Sequence, residues 1–313
     1  MRTIRNTMLL SLGLLTTGIT AQAFELQHNQ GHLQLEQTPK KVISFELAHL
    51  DTLNSLGIVP IGVPQSVYEG VLEKYAQSPT VGTLFEPDYE QLQALAPDLI
   101  IAGGRSAAAI PELKNIAPTI SFDTDPNAFL DSIKSSSMNI AQAWGKTEKA
   151  QQLINNLEQN VQHLRKINQG KSGVLLFTIN GRLIPHAPGD RFGYVYELSG
   201  LTPVLPARTQ DELKQSRPKA GTPEARAAAE KTALELSAIA RADPDWIIML
   251  DRGAINGAEK TAARTLAAHP ELGQSTAFQQ GNVYYADPNS WYIVTGGLNN
   301  LTNITADMIQ SMQ

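Results

Sequence analysis

The chain has 313 residues, more than one hydrophobic core usually serves, so two domains are expected. With 42% apolar and 18% charged residues it has the make-up of a folded globular protein, which excludes a disordered or collagen-like chain. It has no cysteine, which excludes disulfide scaffolds, thiolate metal centres, a cysteine nucleophile and a lipid-bearing N-terminal cysteine; a formal charge of −5 argues against nucleic acid as a partner.

The first 23 residues read as a secretory leader. Arg2 and Arg5 form a positive start, MLLSLGLLTTGIT (8–20) is a short apolar run, and Ala21-Gln22-Ala23 is an A-x-A cleavage signal before Phe24. That run is too short to span a bilayer, and no later segment is long enough either. An exported, soluble, periplasmic protein is expected, and losing Arg2 and Arg5 takes its formal charge from −5 to −7.

In chain order, KKVISF (40–45) reads as a first strand, ELAHLDTLNSLG (46–57) as a helix ended by Gly57, and IVPIGVP (58–64) as a second short strand. Residues 79–92 form a loop entering a helix, PDLIIAGGR (97–105) a buried strand, and ELKNIAPTISFD (112–123) a helix end and strand. Between 139 and 168, Ala141, Trp144, Ala150, Leu153, Leu157, Val161, Leu164 and Ile167 recur at three- and four-residue intervals, apart from the step of six between Trp144 and Ala150. This pattern predicts one amphipathic helix about 45 Å long at about 1.5 Å per residue. GVLLFTI (173–179) is a continuous apolar strand, and the polar, Pro/Gly/Ala-rich residues 206–232 read as a mobile surface excursion. PDWIIMLDR (244–252), a helix near 258–268, the strand NVYYAD (282–287) and a turn into a terminal helix (288–309) complete the chain.

The two Pro-Asp strands share one plan. Each follows an Ala/Leu-rich helical segment, has Ile-Ile at the same places, and puts an arginine eight residues after the proline. Helix, Pro-Asp turn and buried strand form one half-turn of a parallel α/β layer. Open sheets of this kind bind ligands beyond the carboxyl ends of their strands, where Arg105 and Arg252 fall. The bland alternative is common helix-to-strand punctuation with solvent-facing arginines. The matched pair favours two similar lobes and an anion held between them. The expected architecture is α/β: two lobes with mainly parallel sheets joined by one long interlobe helix. Its divisions are a leader (1–23), an N-terminal lobe (24–138), a linking helix (139–170) and a C-terminal lobe (171–313).

The chain resembles the periplasmic ferric-siderophore-binding proteins of ABC importers. The resemblance rests on GTLFEPDYEQLQALAPDLII (82–101), GDRFGYVYELSGL (189–201), PDWIIMLDR (244–252) and YYADPNSWYIVTGG (284–297). These stretches are similar to the catecholate and petrobactin-type subgroup. The resemblance implies a ferric siderophore as transported ligand, no intrinsic cofactor, Arg105, Arg191 and Arg252 as ligand contacts, and Tyr292 as an iron ligand. It also implies docking on an inner-membrane permease through Glu90 and Glu235, and a monomer without nucleic-acid partners. Glu235 stands nine residues before Pro244, where Glu90 stands seven before Pro97, so it fits its position less well. The subgroup often carries a further iron-ligating His-Gly in the C-lobe loop, but here no histidine lies between His186 and His269.

These residue types suit that chemistry. Ferric iron is a hard acid that prefers oxygen donors, and its catecholate complexes are anions. The planar, permanently charged fork of arginine donates several hydrogen bonds to such oxygens and stacks on the rings. A tyrosine phenolate can add an oxygen ligand because the metal drives its proton off. Trp291 and the neighbouring tyrosines are candidates for cation–π packing. Histidines 28, 32, 49, 163, 186 and 269 lack metal-ligand spacing and read as surface or satisfied groups, with His49 a candidate for touching the cleft. Haem, cobalamin or another anionic chelate is the alternative ligand class, and a periplasmic α/β hydrolase the alternative of another kind. No G-x-S-x-G elbow, P-loop or G-x-G-x-x-G after a strand supports an enzyme.

Overall fold

A computed structural model describes residues 23–216, 218–255 and 259–313. All but the last residue of the expected leader therefore lies outside the described residues.

The described chain opens with a hairpin that no sequence signal announced. Strands β1 (Phe24–His28) and β2 (Gly31–Leu35) pair antiparallel, and Gly31 (φ +127°) closes the turn. Strand β3 (Val42–Ser44) follows, then α1 (Leu47–Leu56), which Gly57 ends in the left-handed conformation as expected. Of the strand expected at 58–64, only the end forms, as β4 (Val63–Gln65), which pairs with β5 (Thr80–Thr83). After α2 (Tyr89–Leu95), β6 (Leu99–Ile101) takes the centre of a parallel sheet. Then come α3 (Ile110–Leu113) and β7 (Thr119–Ile120), giving the order β3-β6-β7.

The crossing between lobes departs from the single helix expected over 139–168. Two helices, α4 (Phe129–Ala143) and α5 (Thr147–Ile167), meet at a turn where Gly145 (φ +63°) is left-handed. The apolar series skips one position here, six residues from Trp144 to Ala150, and left-handed Gly145 lies in that gap. The first half of α4 and the second half of α5 pack against the second lobe through Phe129, Ile133, Leu157 and Leu164. Ile140, Ala141 and Ala150, next to the turn, pack against the first lobe instead. The long interlobe element is therefore α5, with α4 running beside it.

The second lobe is built on β8 (Ser172–Ile179), a fully apolar central strand, with β9 (Arg182–His186) folded back antiparallel. Helix α6 (Tyr194–Ser199) and strand β10 (Thr202–Pro203) come next. The expected mobile excursion over 206–232 is in part helical: α7 is Gln210–Lys214, and α8 runs from Pro223 to Ala242. Thr222 caps α8 by accepting from the Ala225 N–H at 3.2 Å, Pro223 occupies its first turn, and a run of alanines carries it on. Strand β11 (Trp246–Asp251), helices α9 (Ala262–Ala267) and α10 (Thr276–Gln280), strand β12 (Val283–Ala286) and helix α11 (Leu298–Met312) complete the lobe. Its sheet order is β10-β8-β11-β12, parallel throughout except for β9.

The repeated Pro-Asp motif has one physical basis in both lobes. Ala96 (φ +46°) and Asp243 (φ +43°), each just before its proline, are left-handed and end the preceding helix. The aspartate after the proline then pins the neighbouring strand. Asp98 accepts from the backbone N–H groups of Lys40 and Lys41, both at 2.9 Å. Asp245 accepts from Ser172 N at 2.7 Å and from its hydroxyl at 2.9 Å. Each sheet is thus registered at its entry, so that the arginine emerges at its exit.

Candidate functional site

Each expected arginine is held by a local device. Arg105 lies in the 3-10 turn Gly104–Ala109 directly after β6. The Ser106 hydroxyl locks that turn by accepting from Gly103 N at 3.1 Å and donating to Gly103 O at 3.0 Å. Arg191 follows Asp190, whose carboxylate accepts from Ala187 N at 3.0 Å and Phe192 N at 2.8 Å and pairs with His186 Nδ1 at 3.0 Å. Burial pushes Asp190 up, but His186 and the two N–H groups outweigh it and hold the carboxyl below its usual range. Arg252 follows Asp251, which accepts from Gly253 N at 3.0 Å and from Thr261 and Ala262 across the loop. An Asp-Arg dipeptide, 190–191 and 251–252, therefore builds both C-lobe contacts; it was legible in the sequence as a repeat but was not singled out there.

The three expected arginines converge on Tyr292. Its hydroxyl accepts from Arg252 Nε at 2.9 Å, and the Arg252 guanidinium carbon stands 5.1 Å from the ring centroid. Arg191 lies 5.6 Å from the same ring and 5.1 Å from that of Phe192, which stacks on Tyr292 with centroids 5.4 Å apart. From the other lobe, Arg105 Nη2 donates to Tyr292 O at 2.7 Å and Nη1 to Ile293 O at 3.2 Å. Burial and the facing Arg191 both pull the Arg105 guanidinium downward, marks of a partly desolvated cationic cleft. A single π-turn, Asn289–Val294, carries Tyr292 into this position, and Thr295 (φ +68°) ends it. Val294 of that turn packs among Leu47, Leu50 and Leu72 of the first lobe, so the tyrosine sits on the seam between lobes.

The expected aromatic neighbour is different. Trp291 is only 1% exposed and stacks on Tyr194 in the core, centroids 5.7 Å apart, so it faces away from the arginines. Phe192 takes its place. His49 is also buried, against Phe122 at 4.9 Å, and burial lowers its imidazole to about 4. His186 is satisfied by Asp190 and packs on Phe177 at 4.0 Å. Among the described residues no group of three or more His, Cys, Asp or Glu side chains forms a metal cage.

Glu46 was not foreseen. It ends the β3 segment as the residue before α1, yet it makes no side-chain cap to that helix. Its carboxylate instead lies against Gly103 and Gly104, and the Arg105 backbone N–H points at it. Burial pushes it up to about 7, opposed by Arg105 and Arg191. It was illegible because nothing near it in sequence marks it; only the lack of side chains at 103–104 makes room.

The two carboxylates expected to face a permease differ. Glu90 is exposed in the first turn of α2, near the exposed Phe85 and Tyr89. Glu235 is half-buried in a two-pronged pair with Arg208, at 2.5 and 2.9 Å. A hollow of about 1150 Å³ between β9, α8 and α9 is lined by none of the four converging residues.

Among the described residues no helix is long and apolar enough to cross a membrane. The model of the periplasmic binding protein family matches residues 42–290. The petrobactin-binding protein YclQ of Bacillus subtilis is 26% identical over 293 residues, covering 92% of this chain and 87% of that protein. Its crystal structure aligns with a TM-score of 0.79 at 25% identity, covering 93% of this chain and 99% of that one. The ferric-anguibactin-binding protein FatB of Vibrio anguillarum is 25% identical over 297 residues, covering 92% and 87%. The crystal structure of the periplasmic catecholate-siderophore binding protein VctP of Vibrio cholerae gives a TM-score of 0.77 at 25% identity, covering 93% and 100%.

Proposed function

The chain belongs to the periplasmic binding protein family, and from that premise we propose that it captures a ferric siderophore of catecholate type in the periplasm and delivers it to an ABC import permease. The observation that carries this reading is the meeting of Arg105, Arg191 and Arg252, from both lobes, around Tyr292. Three guanidinium groups in one partly desolvated cleft repel one another when it is empty, and an anionic chelate relieves that repulsion. Phe192 and Tyr292 offer faces to catechol rings, and the arginines offer donors to their oxygens. Relatives named for petrobactin and for a catecholate siderophore support the ligand class.

In this reading Tyr292 is the direct iron ligand when the siderophore leaves a coordination position open. Arg252, already donating to the hydroxyl oxygen, holds the phenol in place at the cleft. The protein needs no cofactor of its own; the iron arrives as cargo. The division of the chain at 139–170 keeps α5 as the linking element, and the protein works as a monomer. Glu90 and Glu235 face the permease, one on each lobe. The leader pattern at 1–23 supports export to the periplasm.

The test is titration of the purified protein, followed by quenching of its three tryptophans, with ferric bis- and tris-catecholates, a ferric hydroxamate and haem. Catecholates should bind, and more weakly to the Arg105→Ala, Arg191→Ala and Arg252→Ala variants. Binding of hydroxamate or haem alone would overturn the ligand class, and unchanged affinity in all three variants would overturn the site.

A further inference from the structure

Glu46 places a carboxylate in a cleft whose other charged groups are cationic. It faces Arg105 and Arg191, yet no ion pair within 4.0 Å involves it among the described residues. It does not cap α1, whose N-terminus it precedes. Two glycines shape its seat: a Cβ on Gly104, which is itself exposed and left-handed (φ +48°), would stand 2.9 Å from Oε1 and 3.1 Å from Oε2. The carboxylate accepts from the Arg105 backbone N–H, which ties it to the turn that carries Arg105, but among the described residues no side-chain cation pairs with it. It opposes the binding of a simple polyanion.

We propose that Glu46 reads a protonated amine on the scaffold of the siderophore, so that the site selects a chelate with an anionic iron centre and a cationic linker. This rests on the ferric-catecholate reading above and narrows it. The three arginines take the catecholate oxygens, while Glu46, at the carboxyl end of the first strand, takes the N–H donors of the linker. A carboxylate held in a partly desolvated site gains most from a cation that brings its own donors. Burial pushes the Glu46 carboxyl up to about 7, and a cation docking beside it favours the ionised form. Selectivity for the amine should therefore be strongest above that pH and shrink below it. The charged groups that bear on the carboxyl are Arg105 and Arg191.

The experiment compares ferric bis-catecholamides with one linker skeleton carrying a secondary amine, a methylene in its place, or a quaternary ammonium. The wild-type protein should bind the amine complex about tenfold more tightly than the methylene complex. Glu46→Gln and Glu46→Ala should reduce that ratio to near unity while keeping the dependence on Arg252. In the wild type, without any substitution, the ratio should fall between pH 8 and pH 6. The quaternary linker separates charge from N–H donation: binding at the amine's level assigns the effect to charge, and at the methylene's level to hydrogen bonding. Equal binding of amine and methylene complexes by the wild type, or an amine preference that survives in Glu46→Gln, overturns the proposal. If none of the three complexes binds, the ferric-catecholate reading itself fails, which is a separate outcome.

Discussion

Arg105 crosses the cleft to Tyr292: its guanidinium donates to the carbonyl oxygens of Tyr292 and Ile293, 187 and 188 residues further along the chain. The first lobe thus holds the backbone of the π-turn, while Arg252 of the second lobe holds the phenol at the end of the same residue. One tyrosine is gripped from both sides.

Removing one grip should be costly. Arg105→Ala removes the guanidinium donors from two partly buried carbonyls, leaving Tyr292 O with the Thr295 hydroxyl, and takes one cation from the site. Charge-assisted hydrogen bonds contribute about 1.5–3 kcal/mol each, so ferric-catecholate affinity should fall about 10- to 100-fold. Fluorescence titration reads this directly; a loss under about threefold would mean that Arg105 braces the lobes without touching ligand.

Tyr292→Phe keeps the ring that Phe192, Arg191 and Arg252 pack on, and removes only the hydroxyl. With a tetradentate ferric catecholate the visible charge-transfer band should shift, because one oxygen donor leaves the iron. With a hexadentate ligand the band should stay. An unchanged spectrum in both cases removes Tyr292 from the iron's shell.

Three ionisable groups at the start of α1 set opposing pH dependences. Burial raises Glu46 and Asp51 to about 7, above their usual values of 4.5 and 3.8. Their folded forms bind more protons, so their contribution is present at low pH and is lost as pH rises to about 7. His49, lowered from 6.5 to about 4, acts the other way: its contribution is lost as pH falls from 6.5 to 4. Stability of the wild type should decline modestly from pH 4.5 to 7.5. Asp51→Asn should flatten that decline and His49→Gln should steepen it. Urea midpoints across this range decide the matter, and matching slopes in all three proteins would refute it.

Gly297 is left-handed (φ +85°), and a Cβ there would meet the Asp51 carboxylate and stand 2.7 Å from the carbonyl oxygen of Ala48. That second contact is backbone and cannot swing aside. Gly297→Ala should cost about 2–4 kcal/mol by wedging α11 away from α1. Thermal unfolding would show it as a clear drop in Tm, whereas Gly181→Ala (φ +71°, open space) should cost only the backbone strain.

Glu90 and Glu235 should behave differently. Glu90→Ala should impair uptake in cells without changing ligand affinity or stability. Glu235→Ala should also lower Tm, because it leaves Arg208, half-buried in their pair, without its two-pronged partner. Equal stability of the two variants would show that the ion pair contributes little.

The sequence made the sheets legible because their signals are local. The Pro-Asp turns, the unbroken apolar strands and the arginines at their exits all depend on residues within about ten positions, and Asp98 and Asp245 show why the pattern had to repeat. The break at Gly145 was easily missed because the apolar series resumes at Ala150, six residues after Trp144, with only one position skipped. Only the first part of helix α8 was hidden, because its alanines look like loop filler next to Pro218 and Gly221; its end, 236–242, reads as the helical segment before the second Pro-Asp strand. Within the site, the arginines and Tyr292 lie in motifs that point to them. Phe192 lies in the 189–201 motif beside Arg191 without being marked by it, and Glu46 lies in none: their roles arise from neighbours 100 and about 58 residues away, a juxtaposition that only folding creates.

The chain crosses between its lobes on two rods laid side by side, and α11 adds a third by packing on α1 as well as on α5. Splinted in this way, the halves should tilt rather than part, and small-angle scattering of the protein with and without a ferric catecholate should give nearly the same radius of gyration. The change that loading makes would then be concentrated at the rim, where an anionic chelate would offset the charge of three exposed or half-exposed arginines.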